Sequence, residues 1–276
     1  MEQSDQSAPD INTIKQKMAA TWANGDFGAI AHTLMPAAED FVNSLGIEPG
    51  DKVLDVACGS GNLAVLAAQK DADVKGIDIV NDLVRQSKER AAENNLNIEF
   101  TVGDAEDMPY PDNEFDFVIT MFGAMFAPRP DVTTKELFRV CKPGGKVAMA
   151  NWTQNAFAED FFGTIMRFAP PPPPGVPSPN QWGDKETVKQ RFGNFASDIQ
   201  LTFKSFEIVY PVSPAETTEK FTKYFGPVKS LHDNMDEAVR REFTYAITEV
   251  FKRHNISTAG NNVMVGDYLE VIAAKA

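Results

Sequence analysis

The sequence predicts an α/β fold, a mostly parallel sheet with helices on both faces, and three observations carry that expectation. Short apolar runs alternate with amphipathic stretches of about ten residues between Asp51 and Trp152, the rhythm of repeated strand–helix crossovers. The first apolar run, Val53-Leu54-Asp55-Val56-Ala57, passes straight into Cys58-Gly59-Ser60-Gly61-Asn62-Leu63-Ala64, a glycine turn that opens a helix. The turns Glu48-Pro49-Gly50-Asp51 and Lys142-Pro143-Gly144-Gly145 each stand just before a strand pattern.

Taken in order, Ile14, Met18 and Trp22, then Phe27, Ile30, Ala31, Leu34, Phe41 and Val42 recur at helical spacing between Asp10 and about Leu45. Gly25-Asp26 breaks this pattern, and Pro36 marks a second break. Strand 52–57 leads to helix 62–70, strand 73–78, helix 81–94 and strand 97–102. A loop through Pro111 precedes strand 115–121, helix 131–141 and strand 146–152. The crossovers are expected to be right-handed. A helical pattern from Phe157 to Ala169 stops at the prolines 170–174, which read as a surface connection in loop or polyproline II form rather than a ligand motif. Helix 184–193 and strand 199–209 resume the fold, two or three helical patterns occupy 214–254, and Asn261–Ala274 reads as a last strand. The expectation is one domain over 1–276, with cap helices at 10–45, a core at 50–152 and a helical insertion at 210–260.

Composition narrows the function classes. With 276 residues and 43% hydrophobic content the chain can bury a substantial core. A net charge of −13 disfavours nucleic acid as a partner, because phosphate binding needs a basic surface. The only cysteines are Cys58 and Cys141, which argues against a disulfide framework and fits a reducing cytoplasm. No apolar run reaches membrane length and no signal-peptide pattern opens the chain, so no membrane role is expected.

A glycine turn followed by a helix N-terminus suits a nucleotide cofactor: glycine lets a ligand approach the backbone, and the helix presents unpaired N–H groups. Asp55 sits four residues before Gly59, where an acid can reach across and orient the turn. Asp78, in Gly76-Ile77-Asp78-Ile79 at the end of the second strand, is placed to accept from a ribose diol. A nicotinamide dinucleotide would explain this much. Gly103-Asp104-Ala105-Glu106-Asp107, at the end of the third strand, tips the balance: Asp104 can accept from an adenine amino group, and an acidic rim suits a cationic cofactor better than a pyrophosphate.

As a set, these motifs and their spacing over about residues 50–152 resemble the class I S-adenosylmethionine-dependent methyltransferases, specifically the UbiE-like, methyltransferase type 11 branch acting on small molecules. The resemblance implies a Rossmann-like seven-stranded sheet in the order 3-2-1-4-5-7-6, with the seventh strand antiparallel. It implies S-adenosylmethionine as cofactor and S-adenosylhomocysteine as product. It places Asp55, Ala57, Gly59 and Gly61 around the methionine moiety, Asp78 on the ribose, Ile79 on the adenine face and Asp104 with Ala105 on the adenine edge. Met121, Phe122 and Gly123 would pass under the methionine part and the transferring methyl, and the helices before the first strand would close over the cofactor through Trp22, Asp26 and Phe27.

The acceptor is less legible. The insertion at 210–260 can roof an acceptor pocket, and Phe221, Tyr224 and Phe225 favour an apolar or aromatic molecule; the same residues equally describe the core under two surface helices. Transfer by in-line displacement needs mainly alignment and exclusion of water, with a general base for a phenol or alcohol. His32, His232 and Tyr224 are the candidate bases, and each also reads as a structural or surface residue. No His/Cys/Asp/Glu spacing suggests a metal site. Cys58 reads as packing in the glycine turn, and the Asp104-Glu106-Asp107 group as a solvated face apart from Asp104. Met121-Phe122-Gly123-Ala124 stands where amino-methylating DNA enzymes carry an Asn-Pro-Pro-Tyr-type motif. Two alternatives stay open: a cofactor-binding scaffold without catalysis, and a nicotinamide-dependent oxidoreductase, which would lack a Tyr-x-x-x-Lys motif and leave Asp104-Ala105 unexplained. A monomer or homodimer with a small-molecule acceptor is expected.

Overall fold

In a computed structural model, which describes residues 10–276, the apolar runs form β1 (Lys52–Val56), β2 (Asp73–Asp78), β3 (Glu99–Val102), β4 (Phe115–Met121), β5 (Cys141–Trp152), β6 (Ala196–Tyr210) and β7 (Asn262–Lys275). Their order is β3-β2-β1-β4-β5-β7-β6. The pairs β1–β2, β1–β4, β2–β3 and β4–β5 are parallel, while β7 runs antiparallel to both β5 and β6. Val53, Leu54, Val118, Ile119, Val147 and Ala148 are completely buried, as strands covered on both faces require. β6 lies at the edge and alternates exposed with partly buried residues over most of its length.

Between the strands run α4 (Asn62–Ala68), α5 (Asn81–Glu93), α6 (Pro130–Val140), α7 (Ala156–Phe168) and α8 (Lys185–Phe192). The chain's N-terminal part holds α1 (Ile11–Ala23), α2 (Gly28–Ala31) and α3 (Met35–Leu45). The second break is the 3-10 turn His32–Leu34 just before Pro36, which sits in the first turn of α3, where proline gives up no intrahelical N–H bond. α3 stops at Gly46, whose φ of 72° suits only glycine without strain. The insertion consists of α9 (Pro214–Tyr224), α10 (Gly226–Asn234) and α11 (Glu237–His254), and α9 opens with a capping box between Ser213 and Glu216.

Two strands begin earlier than their patterns predict, β6 at Ala196 and, by a wider margin, β5. β5 starts at Cys141, and its register with β4 shifts between Phe115 and Phe117, so Lys142–Gly145 forms an irregularity in the strand instead of a separate turn. A Cβ on Gly145 would stand 2.8 Å from the Asp116 carbonyl oxygen, which explains the glycine there. No described helix is long and apolar enough to cross a membrane. The C-terminal ends of β1, β2, β3 and β4 open on one side of the sheet, where ligands bind in open α/β folds.

Candidate active site at the strand ends

The first wall of the site is backbone. After β1, Ala57 and Gly59 both take φ 54° and Gly61 takes φ 84°. Left-handed geometry at Ala57 costs on the order of 1–2 kcal/mol. It is held by neighbouring hydrogen bonds, Cys58 N–H to the Ile77 carbonyl at 3.0 Å and Gly61 N–H to the Cys58 carbonyl at 2.9 Å. Asp55 accepts from the Ala64 N–H at 3.0 Å and so ties the strand to the first turn of α4. Burial raises its pKa well above the usual carboxylate value, against the lowering effect of that hydrogen bond. A Cβ on Gly59 would meet only the Phe27 ring, at 3.7 Å, so this glycine leaves floor space in the cleft.

Gly61 departs from expectation. It does not line the cleft; a Cβ there would stand 3.1 Å from the Ser87 Cβ and 3.4 Å from the Phe100 ring. Its absent side chain lets α4 pack against α5 and β3, and its left-handed φ caps α4. The other predicted cofactor residues, Trp22, Phe27, Asp55, Ala57, Gly59, Asp78, Ile79, Asp104, Ala105, Met121 and Phe122, all line one cleft of about 140 Å³.

At the end of β2, Asp78 is 7% exposed, and its two oxygens accept from the N–H groups of Gly59 at 2.8 Å and Val80 at 2.9 Å. Burial raises its pKa, with those two bonds opposing the shift. Each carboxylate oxygen keeps a second lone pair for a ligand hydroxyl. Beside it, the Ser60 hydroxyl is buried and has no hydrogen-bond partner in the protein, an unmet polar group in the cleft lining. Cys58 stays a thiol, because burial and then the charges of Asp55 and Asp78 push its pKa well up.

The third wall corrects the solvated acidic rim. Lys15 of α1 reaches Asp104 at 2.5 Å and Glu106 at 2.7 Å, and the Arg129 Nε lies 2.7 Å from Glu106. The Glu106 side chain is fully buried. These acids are therefore compensated from within the protein and hold α1 against the end of β3, while Asp104 still lines the cleft beside Ala105. Asp26 is a tether: its carboxylate accepts from Gln86 at 3.1 Å and its N–H donates to the Tyr224 carbonyl at 2.8 Å.

Beyond β4 the cleft continues into a second compartment of about 80 Å³. Trp22, Phe27, Leu34, Phe122 and Phe126 line both. Phe122 takes φ 53°, another strained residue at the site, and stacks on Trp152 with centroids 3.8 Å apart. A Cβ on Gly123 would stand 2.5 Å from the Ala57 carbonyl oxygen, so the ends of β1 and β4 can approach only through a glycine. Phe157, Phe161 and Phe162 of α7, Phe221 of α9 and Phe225 between α9 and α10 complete the aromatic walls. None of the three candidate bases lines either compartment. His32 is exposed on the turn after α2, His232 pairs loosely with Asp233 at 3.6 Å, and the Tyr224 ring lies under the Lys223 ammonium. Helical periodicity put them on the right elements but could not say which way each faces.

Sequence reasoning missed Lys15, Ser60 and the α7 phenylalanines. The signal for the last was present, since Phe157, Phe161, Phe162 and Phe168 crowd one short helix. Lys15 carries no local signal, standing 89 residues from Asp104.

Comparison with known proteins agrees with this geometry. The family described as "Methyltransferase domain" matches residues 53–145. An uncharacterized protein of Mycobacterium tuberculosis is 35% identical over 257 residues, 92% of each chain. A demethylmenaquinone methyltransferase of Geobacillus is 32% identical over 120 residues, 42% of this chain and 51% of that one. In fold, the YcgJ protein of Bacillus subtilis superposes with a TM-score of 0.58 at 17% identity, covering 88% of this chain and 98% of that one. With its sheet order, its glycine turn and the acids at the ends of β2 and β3, the chain belongs to the class I S-adenosylmethionine-dependent methyltransferases.

Proposed function

We propose that this enzyme methylates a small, neutral, apolar or aromatic acceptor held in the compartment beyond Phe122, within a single domain whose insertion helices roof that compartment. The observation that carries this reading is the continuity of the two spaces, a polar cleft at the ends of β1–β3 opening into an aromatic chamber across five shared side chains.

The cleft fits the cofactor of the family. Two carboxylate oxygens with spare lone pairs suit a ribose diol at Asp78, and the side chain of Ile79 is 37% exposed, free to cover a base. Ser60 offers an unpartnered hydroxyl to the methionine part, and Gly59 clears the floor beneath it. Asp104, already paired with Lys15, keeps lone pairs for the adenine amino group, with Ala105 beside it. Asp55 holds the turn, and Ala57, Met121 and Phe122 form the wall under the reacting end.

S-adenosylmethionine, when bound, supplies an electrophilic methyl on a sulfonium that is its own leaving group. The chain's residues contribute position and dryness. Trp22 and Phe27 lie edge to face at 5.8 Å and Trp22 and Phe225 at 5.4 Å, closing the junction between the compartments to water. Among the described residues no carboxylate or imidazole lines the aromatic chamber, so transfer rests on the acceptor's own acidity or on a neutral lone pair. Thiols, acidic phenols or enols, and uncharged amines meet that condition.

Screening neutral aromatic phenols, thiols and amines beside charged amino acids and phosphorylated amines, with mass detection of methylated product, tests the proposal. Turnover is expected in the neutral set. Turnover confined to the charged set would overturn it.

A further inference from the structure

The aromatic chamber contains two hydroxyl groups, those of Thr33 and Tyr210, and among the described residues no charged side chain lines it. Both residues are buried, at 6% and 3% exposure. The Thr33 hydroxyl donates to the Ile30 carbonyl at 2.9 Å, which uses its proton. The Tyr210 hydroxyl therefore has only the Thr33 oxygen to donate to, at 3.5 Å, far beyond the roughly 2.7–2.8 Å of a good hydroxyl bond. A buried hydroxyl so poorly matched carries a desolvation cost that a ligand oxygen can relieve. Burial also raises the Tyr210 pKa, so the group is a phenol that donates and not a phenolate that abstracts. Tyr210 and Thr33 line the chamber and not the cofactor cleft.

We propose that Tyr210 is the specificity-determining anchor of the acceptor chamber, donating to a carbonyl or hydroxyl oxygen on a neutral aromatic acceptor whose nucleophile faces Phe122. This rests on the chamber being the acceptor site. A charged acceptor would lose its hydration there with no partner to replace it. A pure hydrocarbon skeleton would leave Tyr210 unmet, whereas one oxygen at the end remote from the nucleophile satisfies it.

The test uses two probes of one shape, acetophenone and ethylbenzene, titrated into the protein saturated with S-adenosylhomocysteine. Binding is followed through the indole resonance of Trp152, whose ring lines the chamber. The parent protein is expected to prefer acetophenone by about fivefold, the effect of one neutral hydrogen bond. Tyr210→Phe should abolish the preference while leaving ethylbenzene and S-adenosylhomocysteine binding unchanged, which also shows that the variant is folded. Thr33→Ala, which removes the weak internal contact, should keep it. A preference that survives Tyr210→Phe, or that disappears only in Thr33→Ala, overturns the anchor and leaves the chamber as acceptor site. If neither probe shifts the Trp152 resonance, the chamber reading and the anchor fall together.

Discussion

The two compartments of the site are built by different means. The cleft at the ends of β1–β4 is organised by backbone and short-range contacts: left-handed Ala57 and Gly59, the Asp78 carboxylate on two backbone N–H groups, and a glycine at 123 that lets two strand ends touch. The aromatic chamber is made of side chains, chiefly aromatic, brought from α1, α7, α9, β5 and β6 and from the segments that follow β4 and α9. A site built from backbone constrains residue types locally, since only certain residues fit each turn. A site built from side chains constrains only summed volume and polarity, which many sequences satisfy.

That difference predicts how each half breaks. The largest effect is expected from Gly59→Val, which places a branched side chain in the cleft floor and forces it to φ 54°. Calorimetry should show loss of S-adenosylhomocysteine binding by more than about a hundredfold, with a folding cost of only about 1–2 kcal/mol. Affinity retained within a few-fold would remove Gly59 from the floor. Phe225→Ala should act the other way round. Phe225 touches Trp22, Phe27, Phe161 and Phe221, so its loss is expected to cost about 3–5 kcal/mol of stability in denaturant unfolding while cofactor affinity changes little.

Asp78→Asn comes next. The amide must turn one N–H group toward a backbone N–H, and cofactor affinity should fall by about tenfold or more, in keeping with the roughly 1.5–3 kcal/mol of a charged hydrogen bond. The pH dependence follows from burial. Because the folded-state pKa of Asp78 is raised, it takes up a proton above the range near 3.9 of a free aspartate, and affinity should decline as pH falls through that higher window. Stability responds with the opposite sign: the folded chain binds this proton more tightly than the unfolded chain, so the penalty is full above the folded-state pKa and vanishes below the unfolded value. In the Asn variant the acid limb of the binding profile should be gone. The smallest effect belongs to Lys15→Met, which unlatches α1 from Asp104 and Glu106 but leaves Arg129 on Glu106. It should cost about 1–3 kcal/mol and speed cofactor release; an unchanged off-rate would show that α1 does not gate the cleft.

The same contrast explains what the sequence disclosed. The strand order followed from the resemblance carried by residues 50–152 and the helical insertion from the periodicity of 214–254, and eleven of the twelve residues expected around the cofactor line one cleft, because the glycine turn and the acids at Asp78 and Asp104 each sit next to the element that fixes them. The motif alone puts Gly61 in the cleft, whereas its missing Cβ serves the packing of Ser87 and Phe100. Around the aromatic chamber, periodicity located the helices but not their facing. It groups Tyr224 with Phe221 and Phe225, although Tyr224 lines neither compartment. Lys15 pairs across the fold, and Tyr210 is the last residue of a strand paired with β7 along its whole length; neither has a local pattern to announce it.

The most direct test of the shared junction is a crystal structure of the complex with S-adenosylhomocysteine. The ribose hydroxyls should lie within hydrogen-bond reach of Asp78, and the sulfur should sit at the wall of Phe122 and Phe126, facing the aromatic chamber. A sulfur turned toward the Lys15 end, with the chamber closed off from it, would contradict the account.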